Sequence, residues 1–209
     1  MKKVLSISVL LLVICLSTVL SFAGSVFPDV ADNAWYADYL KRAVESGMVE
    51  GYDDGTFKPD KQLKYAEFIA MMVEQQQTTE ALCKNPISHW GMGYYNMGLK
   101  LGYYTEYQIP AAKLNDPIPR KDMALIAAGY LKENAEVPSN VPFKGYSDLK
   151  KNDPYEYYIS LCSALKVLEG YTEDNTFKPD KTLKRSEAVK VAVCSFDLKE
   201  EKENGDKQQ

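Results

Sequence analysis

From Tyr36 to Gly47 the apolar side chains Tyr36, Tyr39, Leu40, Ala43 and Val44 recur at three- and four-residue intervals, as on a helix with one buried face. Gly47 and Gly51 supply stop signals. Tyr52-Asp53-Asp54-Gly55-Thr56 reads as a turn, in which Asp bonds the local backbone and Gly accepts positive φ. The helical spacing returns at Tyr65, Phe68, Ile69, Met72 and Val73, at Met123, Ile126, Ala127, Tyr130 and Leu131, and at Ala188, Val189, Ala192, Val193 and Phe196. The pattern predicts pairs of helices joined by turn-rich loops.

These pairs repeat. Phe57-Lys58-Pro59-Asp60-Lys61-Gln62-Leu63-Lys64 returns almost letter for letter as Phe177-Lys178-Pro179-Asp180-Lys181-Thr182-Leu183-Lys184. Upstream, Asp29 matches Asp148, Tyr36 matches Tyr155, Tyr39 matches Tyr158 and Gly51 matches Gly170, all at a spacing of 119. A fainter copy lies between them, where Trp90 falls on Trp35, Tyr94 on Tyr39, Gly102 on Gly47 and Ile118 on Leu63, without the Phe-Lys-Pro-Asp segment. The repeats therefore run over about 27–78, 86–135 and 143–197. A two-helix unit is too small to bury both apolar stripes alone, so the three are expected to close into one domain over 24–197.

The ends read differently. Lys2 and Lys3 precede an uncharged apolar stretch over 4–20 and then Ser21-Phe22-Ala23, which predicts a secretory signal peptide at 1–23 and an exported mature chain with no membrane span. A membrane anchor is the alternative, weakened by Ser6, Ser8, Ser17 and Thr18 inside the stretch. At the other end, 198–209 is charged and lacks apolar side chains after Leu198, which predicts a disordered polar tail.

Composition narrows the chemistry. With 25 Lys and Arg against 29 Asp and Glu the net charge is -4, without the basic excess of a nucleic-acid binder, so no nucleic-acid partner is expected. The single histidine, His89, excludes multi-histidine metal sites and reads as a surface or capping residue. Asp53-Asp54-Gly55 lacks the further oxygen ligands of a calcium loop, and Gly91-Met92-Gly93 does not continue into a dinucleotide fingerprint. No metal, cofactor or catalytic residue is expected. Cys83, Cys162 and Cys194 would remain after export, too few for a disulfide scaffold; Cys162 aligns with Ala43 and so reads as buried, with a Cys162–Cys194 pair left open.

Phe27-Pro28-Asp29-Val30, Trp35-Tyr36, the run from Gly51 to Pro59 and Leu183-Lys184-Arg185-Ser186-Glu187 together resemble the S-layer homology (SLH) domain family. The resemblance covers nearly all of the mature chain and is faint in the middle unit. It implies a mainly α fold, a three-repeat pseudo-threefold helical bundle with turn-rich loops. It also implies a secreted protein held at the cell wall or in the S-layer, attached non-covalently to anionic polysaccharide that often bears pyruvyl ketals. The family's binding tetrad, Thr-Arg-Ala-Glu-like, aligns with Lys64-Tyr65-Ala66-Glu67, Pro119-Arg120-Lys121-Asp122 and Lys184-Arg185-Ser186-Glu187. Arginine is kept at Arg120 and Arg185 and replaced at Tyr65, where Lys64 is a less specific substitute.

The residues themselves support a ligand role at these points. A helix N-terminus offers unpaired N–H groups and a positive dipole end, to which an arginine adds a bidentate partner for a carboxylate. Glu67, Asp122 and Glu187 read first as helix caps. Asp29 and Asp148 are either turn acceptors or acceptors of sugar hydroxyls, and Trp35 and Trp90 either close the core or offer a ring face to a sugar, with core favoured. The candidate ligand residues are thus Arg120, Arg185, Asp29, Asp148, Trp35 and Lys64. The alternative to wall binding is an envelope structural or adaptor protein whose partners are other envelope proteins. A carboxylate-based glycan hydrolase is the remaining class, but nothing in the sequence sets two acids across a cleft.

Overall fold

The computed structural model describes residues 26–74 and 89–207 and is mainly helical, with no strand among the described residues. The expected signal segment and Cys83 lie outside the described residues. The helices are α1 (Ala37–Glu45), α2 (Tyr65–Glu74), α3 (Met92–Lys100), α4 (Arg120–Asn134), α5 (Glu156–Ala164) and α6 (Arg185–Asp206), with a 3-10 turn at Ala111–Asn115. Each apolar run with helical spacing became a helix. The shorter helix of each pair ends in one left-handed residue, Gly47 at φ 72°, Gly102 at φ 75° and Lys166 at φ 58°. At Lys166 a side chain occupies a backbone state that favours glycine.

The helices of a pair do not simply fold back on each other. Among the described residues, α3 packs on α2, α5 on α4 and α1 on α6, so each shorter helix sits on the longer helix of the preceding pair and the first closes onto the last. The longer helices α2, α4 and α6 meet one another inside. In α4 every residue from Asp122 to Leu131 is buried, so no solvent face exists to give it an amphipathic pattern.

Three short antiparallel bridges join the strand-like residues ahead of the longer helices: Gln62 with Lys184, Lys64 with Pro117 and Pro119 with Thr182. Their hydrogen bonds form a ring. Leu63 N–H donates to the Leu183 carbonyl (3.1 Å), Leu183 to Ile118 (3.4 Å) and Ile118 to Leu63 (2.9 Å). The three side chains are at most 1% exposed. Burial of three aliphatic groups, at roughly 1.5–3 kcal/mol each, fixes where the helices start.

The tail differs from expectation, because α6 continues to Asp206. Its Lys and Glu residues are good helix formers, and Lys199 pairs with Glu203 one turn on (3.7 Å). Charge alone suggested disorder, but here it extends a helix already nucleated by packing. Both described cysteines are free thiols, Cys162 buried and Cys194 partly so.

Candidate functional site

The starts of the longer helices are not open. Arg120 N–H donates to Lys181 O (2.9 Å) and Lys121 N–H to Pro179 O (2.9 Å), while Arg185 N–H donates to Lys61 O (2.9 Å) and Ser186 N–H to Pro59 O (3.1 Å). Tyr65 N–H donates to Asp116 O (3.1 Å). The N–H groups expected to receive an anion are therefore taken by the neighbouring loop, and each helix start serves as a clamp. Glu67 and Glu187 cap as expected, accepting from Lys64 N–H (2.8 Å) and Lys184 N–H (2.9 Å).

Asp29 and Asp148 are turn acceptors. Asp29 takes the N–H groups of Phe57 (2.8 Å) and Lys58 (2.7 Å), and Asp148 those of Phe177 (2.8 Å) and Lys178 (2.7 Å). Lys58 and Lys178 are both at φ 56°, a left-handed state that these carboxylates hold. The repeated Phe-Lys-Pro-Asp segment thus forms one structural turn made twice. Each carboxylate oxygen takes one backbone N–H and keeps a further lone pair, so the turn role is established for both residues.

The two arginines have separate fates. Arg120 is 3% exposed; its Nε donates to Phe177 O (2.7 Å) and its Nη2 to Glu169 O (2.6 Å), with the guanidinium over the rings of Phe177 and Tyr171. Burial pushes its pKa down, opposed by Tyr171 and Glu187. This arginine ties α4 to the last loop and is almost wholly covered. Arg185 stacks likewise over Tyr52 and Phe57 and donates Nη2 to Glu50 O (2.7 Å), but its buried Nε has no acceptor. Its Nη1 stands 4.0 Å from Glu67, beyond hydrogen-bond reach.

Arg185 lines a cleft of about 330 Å³ between the loop after α1, one side of α2 and the start of α3. Met48, Val49, Ala70 and Met71 supply apolar wall, Glu67 a carboxylate, and Trp90 and Tyr94 an aromatic edge. Trp90 is 59% exposed and Trp35 58%, so the expected core role of both tryptophans is not what the fold gives. His89 caps α3: its Nδ1 accepts from Gly91 N–H (3.0 Å), which leaves Nε2–H to donate to Asn115 (2.9 Å) and holds the residues flanking Trp90. Lys64 Nζ reaches Asn115 Oδ1 (3.4 Å) and does not line this cleft.

At the third junction Tyr65, where the tetrad has lost its arginine, donates its hydroxyl to the buried Asp122. Burial, then this bond, raises the Tyr65 pKa, so the hydroxyl stays a donor. Lys113 Nζ lies 3.8 Å from the same carboxylate. Among the described residues no cluster of His, Cys, Asp and Glu is arranged to hold a metal, and no helix is long and apolar enough to cross a membrane.

A helical repeat module with a ring of inter-unit clamps and an aromatic-edged arginine cleft is thus in view. The S-layer homology domain model matches residues 26–69 and 145–189. The chain is 32% identical over 120 residues to cell surface glycoprotein 1 of Acetivibrio thermocellus, covering 50% of this chain and 5% of that protein. To the cellulosome-anchoring protein of the same organism it is 28% identical over 150 residues, 63% of this chain and 33% of the relative. To the exoglucanase XynX of Acetivibrio thermocellus it is 27% identical over 176 residues, 79% of this chain and 16% of the enzyme. The chain therefore spans a third or less of each of these relatives. The matches indicate a cell-surface location.

Proposed function

We propose that this is an exported, non-enzymatic protein whose three repeats, about 27–78, 86–135 and 143–197, surround a pseudo-threefold axis and attach it non-covalently to anionic, carboxylate-bearing wall polysaccharide. The cyclic bonds among Leu63, Ile118 and Leu183 support the threefold reading, since the middle pair takes the same place as the two matched segments. The observation that carries the binding reading is Arg185, a cation lining a cleft edged by Trp90. A carboxylate accepts from guanidinium at roughly 1.5–3 kcal/mol per charge-assisted bond, and an aromatic edge suits the apolar face of a sugar ring. The names of the relatives, a cell surface glycoprotein and a cellulosome-anchoring protein, agree with a role at the envelope.

Pelleting the mature protein with purified wall sacculi, before and after chemical removal of the secondary polymer, tests the proposal. Retention that disappears with the polymer is expected. Equal retention on both preparations contradicts polymer recognition, and recovery of envelope proteins without polysaccharide favours the adaptor alternative.

A further inference from the structure

We infer that His89 is a pH-sensitive latch on the Trp90 edge of the cleft, closed while its imidazole is neutral and released when the ring takes a second proton. The latch stands on its own geometry, and its effect on wall attachment rests on the reading above.

The ring joins separate pieces of chain. Nδ1 accepts the Gly91 N–H (3.0 Å) and Nε2 donates to Asn115 Oδ1 (2.9 Å), so the residues flanking Trp90 are held to the 3-10 turn that follows α3. Gly91 is pressed against α2: a Cβ there would stand 2.7 Å from the Ala66 Cβ and 3.3 Å from His89 Nδ1. The His89 and Trp90 ring centroids lie 5.7 Å apart. These bonds fit the neutral ring with its proton on Nε2. A second proton goes on Nδ1, where it meets the Gly91 N–H donor against donor, and the cap is lost.

The other units show what this position does. By the same register His89 falls on Ala34 in the first unit and on Asp153 in the third. Asp153 Oδ1 accepts the Tyr155 N–H (2.8 Å), the same two-residue bond that His89 makes to Gly91, and Ala34 has no side-chain acceptor to make it. One cap is therefore absent in the first unit, built on a carboxylate in the third and built on an imidazole in the second. Imidazole is the side chain that ordinarily changes charge between about pH 5 and 8, and His89 is the single histidine of the chain.

The charged groups on the elements packed against the ring are Lys64 and Glu67 at the start of α2 and Lys113 and Asp116 beside Asn115, while the first turn of α3 carries no acidic or basic side chain. Lys64 Nζ shares the Asn115 oxygen (3.4 Å), Glu67 accepts the Lys64 N–H (2.8 Å) and Lys113 lies 3.8 Å from Asp122. Among the described residues no carboxylate bonds the ring, so none holds an imidazolium with the cap in place. The cap is thus present above the titration of the imidazole and lost as pH falls through it, and the fixed placement of Trp90 goes with it.

Nitrogen–proton correlation spectra of the full mature chain from about pH 8 to 5 test the latch, because a single histidine makes its ring signals unambiguous. The expected result is the Nε2–H tautomer at the alkaline end and a Gly91 amide signal that moves with the imidazole, while the Tyr155 amide, capped by Asp153, does not follow it. A proton on Nδ1 at the alkaline end, or a Gly91 amide that ignores the imidazole, overturns the latch. Retention on purified sacculi carrying the intact polymer is then compared at about pH 7.5 and 5.5 for wild type and His89→Asp, which copies the cap of the third unit. Wild type is expected to lose about threefold or more in affinity on acidification, as the fraction with a fixed Trp90 falls, and His89→Asp to change within about twofold. Equal losses in the two, or no loss in wild type, overturn the control of attachment by the latch. If wild type pellets with sacculi at neither pH, the wall-binding reading falls, and the spectra still decide the latch.

Discussion

Arg120→Met removes the clamp between α4 and the last loop while keeping a similar apolar length. Two charge-assisted bonds disappear, to Phe177 O (2.7 Å) and Glu169 O (2.6 Å), and gross values for such bonds are roughly 1.5–3 kcal/mol each. Part of this is offset because a buried guanidinium is poorly solvated, as the downward push on its pKa shows. The carbonyls then lose their donor inside the protein, which works in the opposite direction. The net expectation is a loss of about 3 kcal/mol, a large share of the roughly 5–15 kcal/mol available to a domain. For a protein of this size that lowers the melting temperature by about 6–12 °C. Urea unfolding followed by far-ultraviolet circular dichroism reads it as a lower midpoint at unchanged slope. Arg120→Lys, which keeps charge but not the planar fork, falls between the two. A loss below about 1 kcal/mol for Arg120→Met refutes the clamp.

The fold makes further demands. A Cβ on Gly129 would stand 2.0 Å from the Tyr103 carbonyl oxygen, so Gly129→Ala destabilises by about 2 kcal/mol in urea unfolding despite the helix propensity gained. Ile118, fully buried in the ring of three, loses about 3 kcal/mol as Ile118→Ala by the same measurement. Burial pushes the Cys162 thiol up to about 12, so in a mass-spectrometric alkylation series at pH 8 it labels only as the protein unfolds, whereas the partly exposed Cys194 labels first. Lys58 and Thr56 hold Asp54 down at about 2; this depressed carboxyl contributes stability that is present above its usual 3.8 and lost as pH falls through 2, and Asp54→Asn removes that part of the acid slope.

Local pattern made the helices legible, because each buried stripe is read within ten residues of its own chain. The duplicated turn was legible too: Asp29 and Asp148 hold the same pair of N–H groups in each copy, which explains why the letters recur. What stayed hidden was set by distant backbone. The acceptors of Arg120 lie 49 and 57 residues further along, and a carbonyl has no letter in the sequence. The aligned arginines therefore look alike, although Arg120 reaches backbone carbonyls through Nε and Nη2 and Arg185 through Nη2. Trp90 reads as core from its place at a helix start, but α3 packs on α2 of the preceding pair, and this interleaving leaves the ring at a cleft edge. In the tail, Lys and Glu serve a solvated helix as readily as a disordered chain, and only the packing of the preceding turns decides.

The chain contains three arginines, Arg42, Arg120 and Arg185, so their side-chain Nε–H signals are separable in a nitrogen–proton correlation spectrum. Adding polymer released from purified sacculi is the most direct test of the division between clamp and site. The account predicts that the Arg185 Nε–H signal moves with added polymer while those of Arg120 and Arg42 stay in place; movement at Arg120, or a stationary Arg185 signal in the presence of bound polymer, contradicts it.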